Sequence, residues 1–228
     1  MKRLLPFFLC LLGLACSYHG VLRRGIYSAP ITTDKINARV LVVTDQFIPA
    51  QITVLHPYKK GKYRFRFDTA DSVAVATADA LGDLFTDVDA GPAYLASSYD
   101  YTVYVHYEVI QVLKSETKGV VTSELLENIP LEQLANLTGL HTYMRLSLQR
   151  TAEDAPFISL HAAKHRPITY GENIENIFRW PRIITPFSVQ RRGNIIRHWL
   201  ETDITESLQQ IMQQLQQKQI LFSPANAE

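Results

Sequence analysis

Cysteine is almost absent from this 228-residue sequence, and its placement excludes a disulfide-stabilised domain. Cys10 and Cys16 both lie near the start of the chain, so the rest of the chain has no pair of thiols to oxidise. The apolar run before Cys16, residues 4–14, would span roughly 18 Å as a helix at about 1.5 Å per residue. That is well short of the hydrocarbon core, which is about 30 Å thick. The run is therefore shorter than a typical membrane-spanning helix.

An excess of charge of either sign is missing as well. The chain has 23 Lys and Arg against 22 Asp and Glu, a net charge of +1. Loss of residues 1–15 would remove Lys2 and Arg3 and leave a net charge of −1. This balance lacks the basic excess of a nucleic-acid-binding protein, so no nucleic-acid partner is expected. A hydrophobic content of 46% also excludes a disordered chain.

The common catalytic signatures are missing too. There is no Gly-x-Ser-x-Gly nucleophile motif, no phosphate-binding glycine loop and no cysteine set with zinc spacing. His161 and His165 have the four-residue spacing of a metal site on a helix. However, no glutamate stands between them, and the preceding residues have the pattern of a strand. We therefore interpret both histidines as structural.

An acidic stretch gives a second candidate, which we also interpret as structural. Asp79, Asp83 and Asp87 repeat every four residues, and paired carboxylates can bind calcium or act in acid–base catalysis. The same spacing is typical of the solvated face of a helix. We expect no catalytic residue, metal site or cofactor. An exported enzyme with an unrecognised active site is the alternative.

The segment from Met1 to Cys16 has the layout of an export signal. Lys2 and Arg3 precede the apolar run, and small Ala15 stands directly before Cys16. In this the chain resembles bacterial lipoproteins, whose signal ends in a short box of apolar and small residues followed by a cysteine. That cysteine becomes the acylated first residue of the mature protein.

The lipoprotein resemblance implies acyl chains such as palmitate on Cys16, and several chains would hold the protein firmly on a membrane. Ser17, which follows the cysteine, is not acidic, so the resemblance implies the outer membrane, facing the periplasm. Gly13 and Leu14 depart from the usual box, where Leu and a smaller residue are commoner. Ordinary secretion with an unmodified Cys16, or an uncleaved anchor, stays open.

The remaining chain predicts a single α+β domain over residues 38–222, after a tether at 16–37 and before a disordered tail at 223–228. Strands are predicted at 38–45, 50–56, 62–68 and 99–113, and a hairpin at 141–150 and 155–162. A terminal helix is predicted at 203–217. We expect a mixed or antiparallel sheet with two main helices packed on one face.

The first helix is predicted from apolar residues at helical spacing after a possible cap at Asp71, with Gly91 at its end. These residues are Val73, Ala76, Ala80, Leu81, Leu84, Phe85 and Val88. The strand "YRFRF" before it, with the helix "ADALGDLFTDV", resembles small envelope lipoproteins of the YajG-like kind and accessory lipoproteins of envelope assembly. That resemblance implies a scaffold or binding role.

Surface residues supply the partner-binding hypothesis. Alternating basic residues would stand in one column on the solvent side of a strand, and Tyr63, Phe65 and Phe67 would point inward. Such a column could meet lipid phosphates or an acidic partner, or only protect an exposed edge. An aromatic loop is a further candidate for docking, although loops of this composition more often fold back over the core, and a second basic cluster lies nearby in sequence. The possible partner-binding residues are Lys60, Lys62, Arg64, Arg66, Phe178, Trp180, Arg191 and Arg192.

The sequence therefore predicts a membrane-anchored accessory or structural lipoprotein of a bacterial envelope assembly, transport or secretion complex. It would be attached through a lipid on Cys16 and would act by binding protein, lipid or glycan.

Overall fold

The computed structural model describes residues 17–23, 35–44, 46–55, 64–112, 139–151, 153, 155–167 and 186–218. Its strands are β1 (Ser17–Val21), β2 (Ile36–Val43), β3 (Gln51–Leu55), β4 (Arg64–Asp68), β5 (Phe85–Gly91), β6 (Tyr101–Val112), β7 (Gly139–Arg150) and β8 (Ile158–Pro167). The helices are α1 (Ala70–Leu81) and α2 (Pro186–Gln217), with a 3₁₀ turn at Ala93–Ser98.

The strands form two sheets. The larger sheet has the order β5-β2-β6-β7-β8, and the smaller has the order β1-β4-β3. In the larger sheet β2 pairs parallel with both neighbours, whereas β6, β7 and β8 are antiparallel. The run Val40–Val43 in β2 is fully buried, as expected for a parallel strand covered on both faces.

The predicted strands and hairpin are confirmed. β6 lies within the predicted 99–113 segment, and β7 pairs with β8 as the predicted antiparallel hairpin. In β4, Phe65 and Phe67 are buried, whereas Arg64 and Arg66 point to solvent. Strict alternation of side chains thus set both faces of this strand.

The predicted tether is wrong for its first residues. Ser17–Val21 form β1, which pairs in parallel with β4. The ring of Tyr18 lies 5.6 Å from that of Phe67, and its hydroxyl donates a hydrogen bond of 2.9 Å to Asn194. Leu22 is buried as well. Pairing with a strand that is distant along the chain created this element, which no local pattern indicates.

The first helix is shorter than predicted. α1 begins after Thr69 and ends at Leu81, and Phe85–Gly91 form strand β5 instead of continuing the helix. Phe85 is fully buried as expected, but from a strand. β5 pairs along β2, and this ladder of backbone hydrogen bonds outweighs the helical spacing of the apolar residues.

The second helix is longer than predicted. α2 begins at Pro186, well before the predicted start at Asp203. Proline is well suited to a first helical turn because its missing N–H has no intrahelical partner there. Gly193 lets this part of the helix approach β1, since a methyl group in its place would collide with the ring of Tyr18.

The α+β class and the two main helices on one face are confirmed. α1 packs on β2 and β5, α2 packs on β7 and β8, and the helices contact each other. One core cluster unites both helices with the inner faces of both sheets. We call the face of the larger sheet that these helices cover the helix-covered face, and the opposite face, on which neither of these two helices packs, the open face. Neither helix of the described residues is both long and apolar enough to cross a membrane.

Candidate functional site

The open face carries large polar and aromatic side chains in the middle of the larger sheet. Val103, Val105 and Tyr107 of β6 are buried on the helix-covered face, so the residues between them project from the open face. His106 of β6 lies opposite Arg145 of β7 in the antiparallel register. Both are only partly buried. The pairing of two strands therefore brings an imidazole and a guanidinium together at the surface.

Four rings form a continuous row across this face, which we call the aromatic row: Phe47, His106, Tyr143 and His161. The rings of Phe47 and His106 are stacked at 6.3 Å between centroids. The His106 ring meets the edge of Tyr143 at 6.2 Å, and Tyr143 lies 6.5 Å from His161. Tyr104 packs edge-on against Phe47 at 6.2 Å. Such ring pairs stabilise one another by about 0.5 to 1.5 kcal/mol each beyond the area they bury.

Phe47 begins the row from an unusual backbone position. Its φ of 62° lies in the left-handed region, which costs a residue with a side chain roughly 1–2 kcal/mol. Its carbonyl accepts a hydrogen bond of 3.2 Å from the backbone N–H of Tyr107, which fixes the loop along β6. The side chain is still 58% exposed. A strained backbone that holds a large apolar side chain in solvent is typical of a functional position.

A surface cavity of about 310 Å³ lies under Phe47. Its volume falls within the usual range for ligand pockets, about 300 to 1,000 Å³. Nδ1 of His106 is buried and has no hydrogen-bond partner among the described residues. Buried polar atoms are normally paired, so this nitrogen is an exception among the residues that line the cavity. The cavity is lined by Gln46, Phe47, Tyr104, His106, Arg145, Ser147, Gln149 and Pro156.

The lining of this cavity is partly apolar and partly polar. Aromatic side chains form an apolar wall and the Arg145 side chain carries hydrogen-bond donors, whereas the Gln149 amide already donates to the carbonyl of Glu153. The Ser147 hydroxyl lies 3.5 Å from the hydroxyl of Ser159 across the hairpin. Among the described residues no hydrogen bond joins Ser147 to His106, so the pair lacks the nucleophile–base contact of covalent catalysis.

A second polar cluster lies beneath the helix-covered face. Buried Asp203 of α2 accepts a hydrogen bond of 2.8 Å from Nε of Arg166 and one of 3.3 Å from the Thr142 hydroxyl. Loss of solvent raises the pKa of Asp203 against the opposing effect of Arg166. Burial likewise raises the pKa of Tyr107, whose hydroxyl has no partner among the described residues. This cluster joins α2 to the β7–β8 hairpin and does not open into the cavity.

The structure places the predicted partner-binding residues in different surroundings. Arg64 and Arg66 are exposed on β4, and Arg191 is exposed on α2. Arg192 is only 3% exposed, so its prediction as a surface residue is wrong. It lies on the inward stripe of α2 between buried Val189 and Ile196, as helical spacing dictates. Cys16, Lys60, Lys62, Phe178 and Trp180 lie outside the described residues.

The histidine and aspartate candidates are dispersed. His161 and His165 lie in strand β8, where His165 stacks on His141 at 4.3 Å between ring centroids. Asp79 is in α1, whereas Asp83 follows the helix and Asp87 lies in β5. The predicted acidic helix face is therefore wrong. Within the described parts of the chain, no group of three or more His, Cys, Asp or Glu residues could hold a metal ion.

The sequence matches no protein-family model and no curated protein. Among solved structures, the chain is similar to the crystal structure of a Xanthomonas campestris protein described by the family model DUF330. The two share 12% sequence identity with a TM-score of 0.43, over 89% of this chain and 98% of that chain.

Proposed function

We propose that this protein is a lipid-anchored accessory component of a bacterial envelope assembly, transport or secretion complex, and that it works by binding. The cavity under Phe47 carries the proposal, because its volume lies in the range of ligand pockets and an exposed aromatic side chain lines it. Exposed aromatic side chains at the centre of a surface are typical anchors for a partner chain. The aromatic row extends that surface beyond the cavity.

The anchoring part of the proposal rests on the pattern that ends at Cys16. β1 begins at the next residue. An acylated Cys16 would therefore hold the folded domain close to the membrane surface, on the periplasmic side of the outer membrane.

The anchor is tested by Cys16→Ser in cells, followed by fractionation and by mass spectrometry of the purified protein. We expect the parent protein in the membrane fraction with acyl chains on residue 16. The variant should be released or remain unprocessed. A processed variant that stays in the membrane fraction like the parent would contradict lipid anchoring.

The binding site is tested by a photo-crosslinking residue, p-benzoylphenylalanine, in place of Phe47. Tyr94 is the matched control position, because it is an aromatic residue 80% exposed on the 3₁₀ turn and does not line the cavity. In intact envelopes we expect a discrete product from position 47 and none from position 94. The mass of the product distinguishes a protein partner from a lipid or glycan. Equal labelling from both positions would contradict a site under Phe47.

A further inference from the structure

The outer face of the smaller sheet has an arrangement that the cavity does not explain. Alternate residues of its three strands point to solvent. We call this surface the arginine face. It consists of Ser17, His19 and Val21 of β1, Arg64, Arg66 and Asp68 of β4, and Gln51 and Thr53 of β3.

The positive charges of this face are available to a ligand. Arg64 and Arg66 are exposed, and neither forms an ion pair or hydrogen bond with a described residue. The carboxylate of the face, Asp68, is already engaged by His19 at 3.0 Å and by the side-chain amide of Gln51 at 3.2 Å. These two contacts lower its pKa, the bond from His19 most. The acid is therefore paired, whereas no described residue pairs either guanidinium group.

The strand register places these guanidinium groups beside the proposed anchor. Ser17 pairs with Arg64, and His19 with Arg66, in a parallel ladder. Adjacent strands lie about 4.8 Å apart, so the chain enters β1 one strand spacing away from the Arg64 end of β4. Cys16 directly precedes the sheet in sequence, since β1 begins at Ser17. A lipid on Cys16 would thus bring the arginine face within reach of the headgroup layer.

We propose that the arginine face binds the phosphate groups of anionic phospholipids in the leaflet that holds the Cys16 anchor. This inference rests on the proposed lipid anchoring. Guanidinium groups bind phosphate oxygens through paired hydrogen bonds. Val21, 62% exposed on the same face, adds an apolar side chain that can enter the interface. A phospholipid is favoured over an acidic protein because the register brings the face to the anchor itself.

The expected effect follows from the charges near the surface. Each basic residue beside an anionic leaflet contributes about a fivefold preference for the bound state, so two contribute roughly 25-fold. The preference should fall with salt, because the attraction is screened over a Debye length of about 10 Å at ordinary ionic strength. The arginine face would then fix the orientation of the domain on the membrane as well as its attachment.

The experiment uses the protein purified from envelopes with a fluorophore on Val21→Cys and, as control, on Tyr94→Cys. It is reconstituted into vesicles of phosphatidylglycerol or of phosphatidylcholine that contain a headgroup quencher. We expect quenching at position 21 in phosphatidylglycerol vesicles only, and we expect high salt to abolish it. The double variant Arg64→Ser with Arg66→Ser should lower the equilibrium constant for binding of the arginine face to the membrane roughly 25-fold. The matched double variant Lys35→Ser with Lys218→Ser removes the same charge elsewhere and should have no effect.

The outcomes separate this inference from the proposed function. Equal quenching in both lipids, or quenching unchanged by the arginine substitutions, would overturn the arginine face even if Cys16 is acylated. Absence of quenching in these vesicles, which contain no other protein, would also overturn it and would direct the search to an acidic protein partner. If mass spectrometry shows an unmodified Cys16, the proposed anchoring fails. Co-sedimentation of that unmodified protein with phosphatidylglycerol vesicles then decides the arginine face independently.

Discussion

The two faces of the larger sheet come from the same strands but have opposite character. On the helix-covered face, Val103 and Val105 of β6 are fully buried in the core cluster that also contains residues of both helices. On the open face, Tyr104 and His106 from the same strand line a cavity. The difference shows that a two-residue period divides one strand between a buried core face and a face that lines a surface cavity. Substitutions on the two faces should therefore have separable effects.

The largest effect is expected from Phe85, which is fully buried beneath the helices and lies 6.1 Å from the ring of Tyr101. Phe85→Ala should lower the free energy of unfolding by about 3 to 5 kcal/mol, because it leaves a cavity in a packed core. Chemical denaturation measures this change. An unchanged unfolding midpoint would show that the helix-covered face is not the stabilising face.

A smaller effect is expected from Asp203, whose raised pKa makes its ionisation less favourable in the fold than in the unfolded chain. The stability that the protonated carboxyl group contributes to the fold is complete below the pKa of the unfolded state, about 3.9, and is lost as pH rises through the pKa of the folded state. Asp203→Asn resembles the protonated acid and cannot ionise. Above about pH 4 the parent should lose stability relative to this variant, by up to about 1.4 kcal/mol per pH unit, until the folded pKa is passed. Denaturation at a series of pH values measures the difference, and a pH-independent result would contradict the raised pKa.

Tyr107 offers a finer test of the helix-covered face. Its hydroxyl is buried without a partner among the described residues, and an unpaired buried polar group costs about 1 to 3 kcal/mol. Tyr107→Phe should therefore leave the protein as stable as the parent or raise its stability by about 1 kcal/mol. Thermal unfolding measures the change. A marked loss of stability would reveal a hydrogen-bond partner for this hydroxyl.

The smallest effect on stability is expected on the open face. Phe47→Gly relieves a left-handed backbone, which costs about 1–2 kcal/mol, but loses ring contacts of similar size. The melting temperature should thus change by no more than about 2–4 °C. Recovery of the envelope partner in a pull-down should nevertheless fall. Tyr94→Gly, at an exposed aromatic position that does not line the cavity, is the control for loss of an aromatic surface. Unimpaired recovery with Phe47→Gly would remove the open face as the binding surface.

The sequence predicted the elements whose information is local. In β4 the alternation around Phe65 and Phe67 correctly set the buried and exposed faces, since successive side chains of any strand point in opposite directions. The C-terminal half of α2 was also predicted from a local pattern, because Ile204 and Leu208 repeat with the helical period. The end of α1 was wrong, since Phe85 and Val88 fit a helical period as well as a strand paired to β2.

Only the tertiary structure decided where distant residues meet. Pairing of β6, β7 and β8 aligns His106, Tyr143 and His161, and a backbone hydrogen bond from Tyr107 places the loop of Phe47 at the end of that row. Likewise, Ser17–Val21 form a strand because they pair with β4, which is distant along the chain. Alternation along a chain is a local consequence of backbone geometry. The register between strands depends instead on which hydrophobic faces are buried together, and this is a property of the whole fold.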